Sequence, residues 1–424
     1  MSKVPRSLVR LVLANAVSLT GNVILTVAVP WLVLTTTGSA TLAAITVFAG
    51  VGGAAVGALV AGGVVDAIGA VRTGSLAELL NALVVAPLPV LLALDAMELW
   101  HVLALAFLGT LVDSAGSTAR QSLVAGAADS GGYQRERANA LFTSAEHVGY
   151  LLGAPLAGLL IAAYGVGGAI WVTVAAFGLA SLLVGRLRLR APRPTAVRTS
   201  ATKGQREAIA FIWHDPALRA LFLFPTVAVM LVAPLAPLVL PVLARETFGD
   251  PVVLGVMVAG YGAGGLLGAA GFGLVGARVP RRLLFVAVFA LVPLTLAGIT
   301  VSPSLTPTLA MLLTLGAAVG ALVPLMATIR QERSPAHLLP RVVGLSTATI
   351  PVTGPIGVLA AGLMIDGLGL RTTLLAMTAA GLLIAVVVVT SRGVRLFGTP
   401  GSSAGLRGSS GSATHPDRAW SAAA

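Results

Sequence analysis

The sequence predicts an all-α membrane protein, with about twelve transmembrane helices in two six-helix bundles, and three observations carry that prediction. Of 424 residues, 57% are hydrophobic and only 10% charged, and 50 are glycine, a profile far from that of a water-soluble domain. Apolar stretches of about 20 residues, enough to cross about 30 Å of hydrocarbon at about 1.5 Å per residue, recur throughout the chain. The second half also repeats the scheme of the first.

The spans in the first half are read as Val9–Thr35, Leu42–Val65, Leu76–Leu94, Trp100–Ala119, Ala138–Ala163 and Ala169–Gly185. Those in the second half are Leu218–Ala244, Val253–Ala277, Leu283–Thr300, Leu305–Ile329, Val342–Ile365 and Thr372–Thr390. The first span follows Lys3, Arg6 and Arg10 but is too long for a signal sequence and lacks a small-residue cleavage site, so it is expected to be retained.

Only Arg245 and Arg371 of the 27 Lys and Arg fall in loops on one side, which places both termini on the cytoplasmic side of the inner cell membrane. The net charge of +12 is then accounted for by anionic lipid headgroups, and no nucleic acid partner is expected.

Cysteine is absent, which excludes disulfides, thiolate metal sites and cysteine nucleophiles. The five His show no metal-ligand spacing, and neither a phosphate loop nor a catalytic constellation is present. The expectation is no metal, no cofactor and no enzymatic activity.

The internal repeat pairs Pro30 with Pro241, Gly62 with Gly273, Arg120-Gln121 with Arg330-Gln331, Arg137 with Arg341, and Gly158–Gly165 with Gly362–Gly369. The offsets are 211, 211, 210, 204 and 204, which predicts a longer loop at Ser122–Glu136 than in the second half. Duplicated six-span halves are one architecture of secondary transporters, with the substrate path between the halves.

The expected domains are an N-terminal bundle, 1–185, an Arg-rich cytoplasmic linker, 186–216, a C-terminal bundle, 217–391, and a disordered cytoplasmic tail, 392–424. Within the linker, QREAIAFIWH reads either as a short helix on the membrane surface or as a lead-in to the seventh span.

Between the second and third spans lies GGVVDAIGAVRTG, where Gly62 and Gly69 allow close helix approach and Asp66 can meet exposed N–H groups or Arg72. Here the chain resembles the major facilitator superfamily, whose signature Gly62, Asp66 and Gly69 match and Ala67, Ala70 and Val71 do not. The missing basic positions appear in the second copy as Arg278, Arg281 and Arg282, where Ala277 replaces the acid.

Over residues 8 to 392, the stretches Gly21-Asn22, PWLVLTTTGSA, ARQSL, RANAL, IWHDPALRAL and RQERSP look like the drug/proton antiporter branch that includes macrolide and enterobactin exporters. The resemblance implies a twelve-helix fold and a conformational latch made by Gly62, Asp66, Gly69, Arg72 and Arg120. Asn22 stands where that branch often carries an acid. Gly149, Gly153 and Pro155 resemble the antiporter motif of the fifth span and Gly354-Pro355 repeats the theme, although helix packing alone explains such residues.

Ionisable groups within the hydrocarbon are functional candidates by default. Glu146 lies about 14 Å from Arg137 along its helix, near the bilayer centre, Asp113 about 10 Å from Arg120, and Glu78 shallower. These three are the proton-coupling candidates, with Glu146 foremost, while Asp113 with Arg120 also reads as an ion pair bracing a gate. The expected function is proton-coupled efflux of a small amphipathic compound by a lipid-embedded monomer. An uncoupled facilitator or importer, or a membrane receptor or scaffold that moves nothing, is the alternative.

Overall fold

The computed structural model describes residues 4–187, 201–276, 278–301, 304–335, 338–348 and 350–398. Residues 188–200, part of the expected linker, and the tail beyond 398 lie outside the described residues, as does Ala277. Among the described residues every element is helical. In the first half these are α1 (Arg6–Thr37), α2 (Ala40–Ile68), α3 (Ala70–Val85), α4 (Pro87–Ala93), α5 (Leu99–Asp129) and α6 (Arg135–Gly185).

In the second half, α7 (Ala201–His214) leads into α8 (Pro216–Val232) and α9 (Leu240–Leu243), with π-helical turns at Leu235–Val239 and Ala244–Phe248. Then follow α10 (Pro251–Val275), α11 (Arg281–Val301), α12 (Leu305–Arg333), α13 (Leu339–Ala348), α14 (Ile350–Leu368), α15 (Leu370–Thr390) and α16 (Arg392–Arg395). Among the described residues, ten helical stretches are long and apolar enough to span a membrane. The twelve expected spans are nevertheless there. α6 holds two of them, broken at Gly165 (φ 69°, ψ 176°), and α14 is a shorter apolar helix.

Leu83, Leu152, Leu294 and Leu383 each expose more than 45% of their surface, as lipid-facing side chains do in a bundle whose backbone is satisfied within its own helices. α7 is a separate helix, stopped where Asp215 caps α8 through the amide of Ala217 at 2.8 Å. It buries Ala208 and Ile212 and leaves Ile209 and Trp213 exposed.

The repeat is visible in the helix starts. Ala40 pairs with Pro251 and Ala70 with Arg281 at 211 residues, Leu99 with Leu305 at 206, and Arg135 with Leu339 at 204. Packing fixes the same register. A Cβ on Gly53 or Gly57 would strike the carbonyls of Phe107 or Leu111, and one on Gly264 or Gly268 those of Leu313 or Ala317.

This corrects two readings of the sequence. Most of the length difference falls in the connection before the fourth span, around α4, and not at Ser122–Glu136. Met326, rather than Arg330, stands in the place of Arg120. Pairing Arg with Arg slipped the alignment by four residues, about one helical turn, which preserves the helix face and so hid the error.

The two ends of the molecule are built differently. Toward the far face, which carries the loop at Gly38, one core is shared by Val27, Trp31 and Ala44 of the first half and Leu240, Leu254 and Ala361 of the second. Toward the opposite, arginine-rich face each bundle has a core of its own, around Leu11, Leu123 and Phe142 in one and Leu221, Phe285 and Ile329 in the other. The bundles are therefore joined at the far face and parted at the basic face.

Two glycine contacts make the joint. Gly158 lies against Gly255, where an added Cβ would stand 2.6 Å from the Pro251 carbonyl, and Gly362 lies against Ala44 and the Ala40 carbonyl. The repeat offsets convert one contact into the other, Gly158 to Gly362 and Ala44 to Gly255, which is the mark of a pseudo-two-fold axis between the bundles.

Candidate functional site

Four helices of the first bundle converge on one guanidinium. α1 presents Asn15, Ser18 and Asn22 at intervals of three and four, which places them on one face. α3 adds Glu78 and Asn81, α5 adds Asp113 and Arg120 two turns apart, and α6 adds Glu146. Gly116 clears the space, since a Cβ there would stand 3.3 Å from Arg120 Nη1 and 3.1 Å from Ala77.

Arg120, 2% exposed, pairs through Nη1 with Oε1 of the fully buried Glu78. Its Nε donates to Asn15 Oδ1 at 3.0 Å, and Nη2 stands 3.7 Å from Asp113 Oδ1. Around this hub, Ser18 Oγ donates to Glu78 Oε1 at 2.8 Å, Asn15 Nδ2 to Glu146 Oε1 at 3.4 Å, and Asn22 Nδ2 to Asp113 Oδ1 at 3.1 Å. Among the described residues, Glu78 Oε2 and Asn81 Oδ1 are buried with no donor.

Asn22, Asn81, Asp113 and Tyr150 line a cavity of about 470 Å³. Three carboxylates thus surround one cation in a low-dielectric setting, where surplus negative charge is costly and a bound proton is the simplest way to remove it. Among the described residues no group of three or more His, Asp or Glu is placed to hold a metal ion.

The structure ranks the candidate acids differently from helix depth. Glu78, reckoned shallowest along its helix, is sealed from solvent, and Glu146, reckoned deepest, is half-buried. Depth along one helix does not register what the neighbouring helices cover.

Arg120, grouped from the resemblance with the Asp66 loop, sits in this buried network instead. Gly62, Asp66 and Arg72 are exposed, Gly69 (φ 87°) ends α2, and among the described residues Asp66 and Arg72 make no ion pair or hydrogen bond. Gly149 and Gly153 seat α6 against Leu19 and Val23 of α1, and Gly354 faces Val229 of α8 and Ala233 at its C-terminal cap. Pro155 and Pro355 lie inside α6 and α14.

Sequence reading missed Asn15, Ser18 and Asn81, although a polar stripe at Asn15, Ser18 and Asn22 in an otherwise apolar helix was a usable signal. It also missed Asp366. At the far face this carboxylate, from the end of α14, accepts from Ser39 Oγ at 2.6 Å and from the amides of Ala40 and Thr41 at 2.8 and 2.9 Å. It caps α2 of the other bundle, supplementing Ser39, and so ties the two bundles across the closed face.

The sequence matches the family described as Major Facilitator Superfamily over residues 11–276 and again over 235–421. The chain belongs to the major facilitator superfamily. It is accordingly a multi-pass membrane protein of a transporter family, not of an enzyme class.

Similar proteins include the multidrug efflux pump Tap of Mycolicibacterium fortuitum, 34% identical over 375 residues, 87% of this chain and 91% of that one. Tap of Mycobacterium tuberculosis (strain H37Rv) is 32% identical over 86% and 88%. The solved nucleoside transporter NupG superposes with a TM-score of 0.75 at 11% identity, covering 91% and 99%. That last likeness speaks for the superfamily fold alone.

Proposed function

We propose that this superfamily member is a proton-coupled exporter of small amphipathic compounds, acting as a monomer by alternating access in the cytoplasmic membrane. Its basic face and both termini lie in the cytoplasm, and the bundles 1–185 and 217–391 rock about the glycine contacts at the far face. The observation that carries the reading is the cluster of three carboxylates around Arg120, beside the cavity that Asp113 lines. The name multidrug efflux pump borne by the Tap relatives supports the direction of transport.

In this reading Glu78 and Arg120 are a standing pair, and the mobile proton belongs to Asp113 and Glu146. Asn15 links Glu146 to the Arg120 guanidinium that Asp113 also approaches, because it accepts from Arg120 and donates to Glu146. Substrate enters the cavity from the parted basic face. When the Asp366 cap releases, the far face opens, substrate leaves, and a proton takes its place on the cluster.

The test is accumulation of a lipophilic dye in liposomes holding the purified protein under an imposed pH gradient. Asp113→Asn and Glu146→Gln are each expected to abolish the gradient-driven component. Full pH-driven accumulation by the double variant removes the cluster from coupling. Asn22, a neutral amide where the resembling branch often carries an acid, favours the second reading, an uncoupled facilitator, for which an uncoupler would leave accumulation unchanged.

A further inference from the structure

The polar cluster has a counterpart in the second bundle, and that counterpart is stripped of charge. At the offsets set by the helix starts, 210 for α1 and α8, 211 for α3 and α11 and 206 for α5 and α12, Asn22, Glu78 and Asn81 correspond to Val232, Phe289 and Val292, and Asp113 and Arg120 to Val319 and Met326. These five residues line a second cavity, of about 360 Å³. Its few polar side chains are the hydroxyls of Thr226, Tyr261 and Ser346.

The two cavities abut at the π-helical turn Leu235–Val239, where Ala236 lines the apolar one and Pro237 the polar one. Prolines at 234, 237 and 241 withhold backbone donors there, which accounts for the widened turn.

From this juxtaposition we infer that the cavity of the second bundle binds the apolar body of a lipophilic cation, whose charge is balanced across the π turn by the acidic cluster of the first bundle. The volume is that of a drug-sized site, and an apolar wall gains from burying rings while offering nothing to a charge. The carboxylates that surplus over Arg120 supply the counter-charge. Substrate choice and proton chemistry then reside in different halves. The inference deepens the exporter reading and rests on it.

Tetraphenylphosphonium, a permanent lipophilic cation, is the probe, with neutral triphenylphosphine oxide for comparison. Equilibrium dialysis of the labelled cation against the purified protein in detergent is expected to show saturable binding, weakened about tenfold or more when Val292→Trp fills the cavity. The neutral oxide should bind more weakly than the cation to the wild type.

Because the chain has no cysteine, a single Val319→Cys gives an independent readout that does not require Val292→Trp to fold. Tetraphenylphosphonium should slow its labelling by a small maleimide and leave labelling of Leu363→Cys, on the exposed surface of α14, unchanged.

No saturable binding to the wild type, or no protection of Val319→Cys, overturns the inference. So does equal affinity for the cation and the neutral oxide. The exporter reading stands apart from these outcomes, since loss of pH-driven transport in Asp113→Asn does not depend on them.

Discussion

The two halves of this transporter share a skeleton and differ in chemistry. Where α2 meets α5 and α10 meets α12, glycines at equivalent positions let backbones touch, so the contact geometry survives in both copies. Where α1, α3 and α5 enclose Glu78, Asp113 and Arg120, the second copy encloses Phe289, Val319 and Met326. A duplicated bundle is held by close approach, which few residues permit, whereas the space inside each bundle can be refilled without disturbing that approach.

The largest expected effect comes from making the first half resemble the second at one position only. Arg120→Met leaves Glu78 buried without its partner and should cost about 3–5 kcal/mol, the penalty of an uncompensated buried charge. The melting midpoint in detergent should fall steeply. Adding Glu78→Phe, the residue found in the second half, should recover most of the stability but not pH-driven transport. If Arg120→Met alone melts like the wild type, the cluster is not a structural unit.

Next in size are the glycines that the halves share. Gly57→Val and Gly268→Val each drive a side chain into the opposing helix backbone and should destabilise by about 1–3 kcal/mol or more, by similar amounts. Unequal losses, read from detergent melting, would mean that the two contacts are not equivalent in energy even though they match in geometry.

Much of this was legible in the sequence because the signals were long. Spans of 20 apolar residues, and a repeat with ordered Gly and Pro, survive errors of a few residues. The site was less legible. Each polar residue of the cluster sits on a different helix, and no one-dimensional spacing joins Asn15 to Glu146 or Glu78 to Arg120. The repeat held one unused signal: Asp366 stands where the first half has Ala162, so a carboxylate appears in one copy alone, at a helix end.

That asymmetry sharpens the comparison at the far face. Ser39 and Asp250 occupy equivalent positions at the starts of α2 and α10, and Asp250 caps its own helix through the Val252 amide at 2.8 Å. One cap is reinforced from across the interface and the other is met within its own chain segment. Asp366→Ala should remove about 0.5–2 kcal/mol of the far-face closure, the usual worth of a cap. A cysteine introduced at Ala44, behind the latch, should then be labelled several-fold faster from the far face in proteoliposomes. Unchanged labelling would show that the glycine contacts alone keep the face shut.

The smallest effect is expected at Asp66. It is exposed and makes no hydrogen bond or ion pair among the described residues while the basic face is parted, so Asp66→Asn should leave the stability read from detergent melting within about 0.5 kcal/mol of the wild type. Any role of this carboxylate must come when the basic face closes and brings the second bundle within its reach. The expected signature is therefore kinetic: Asp66→Asn should slow transport turnover while leaving stability and equilibrium binding of tetraphenylphosphonium to the basic-face-open state unchanged. A variant that instead unfolds early would place Asp66 in a contact made in this state, and would break the contrast between a latched far face and an unlatched basic one.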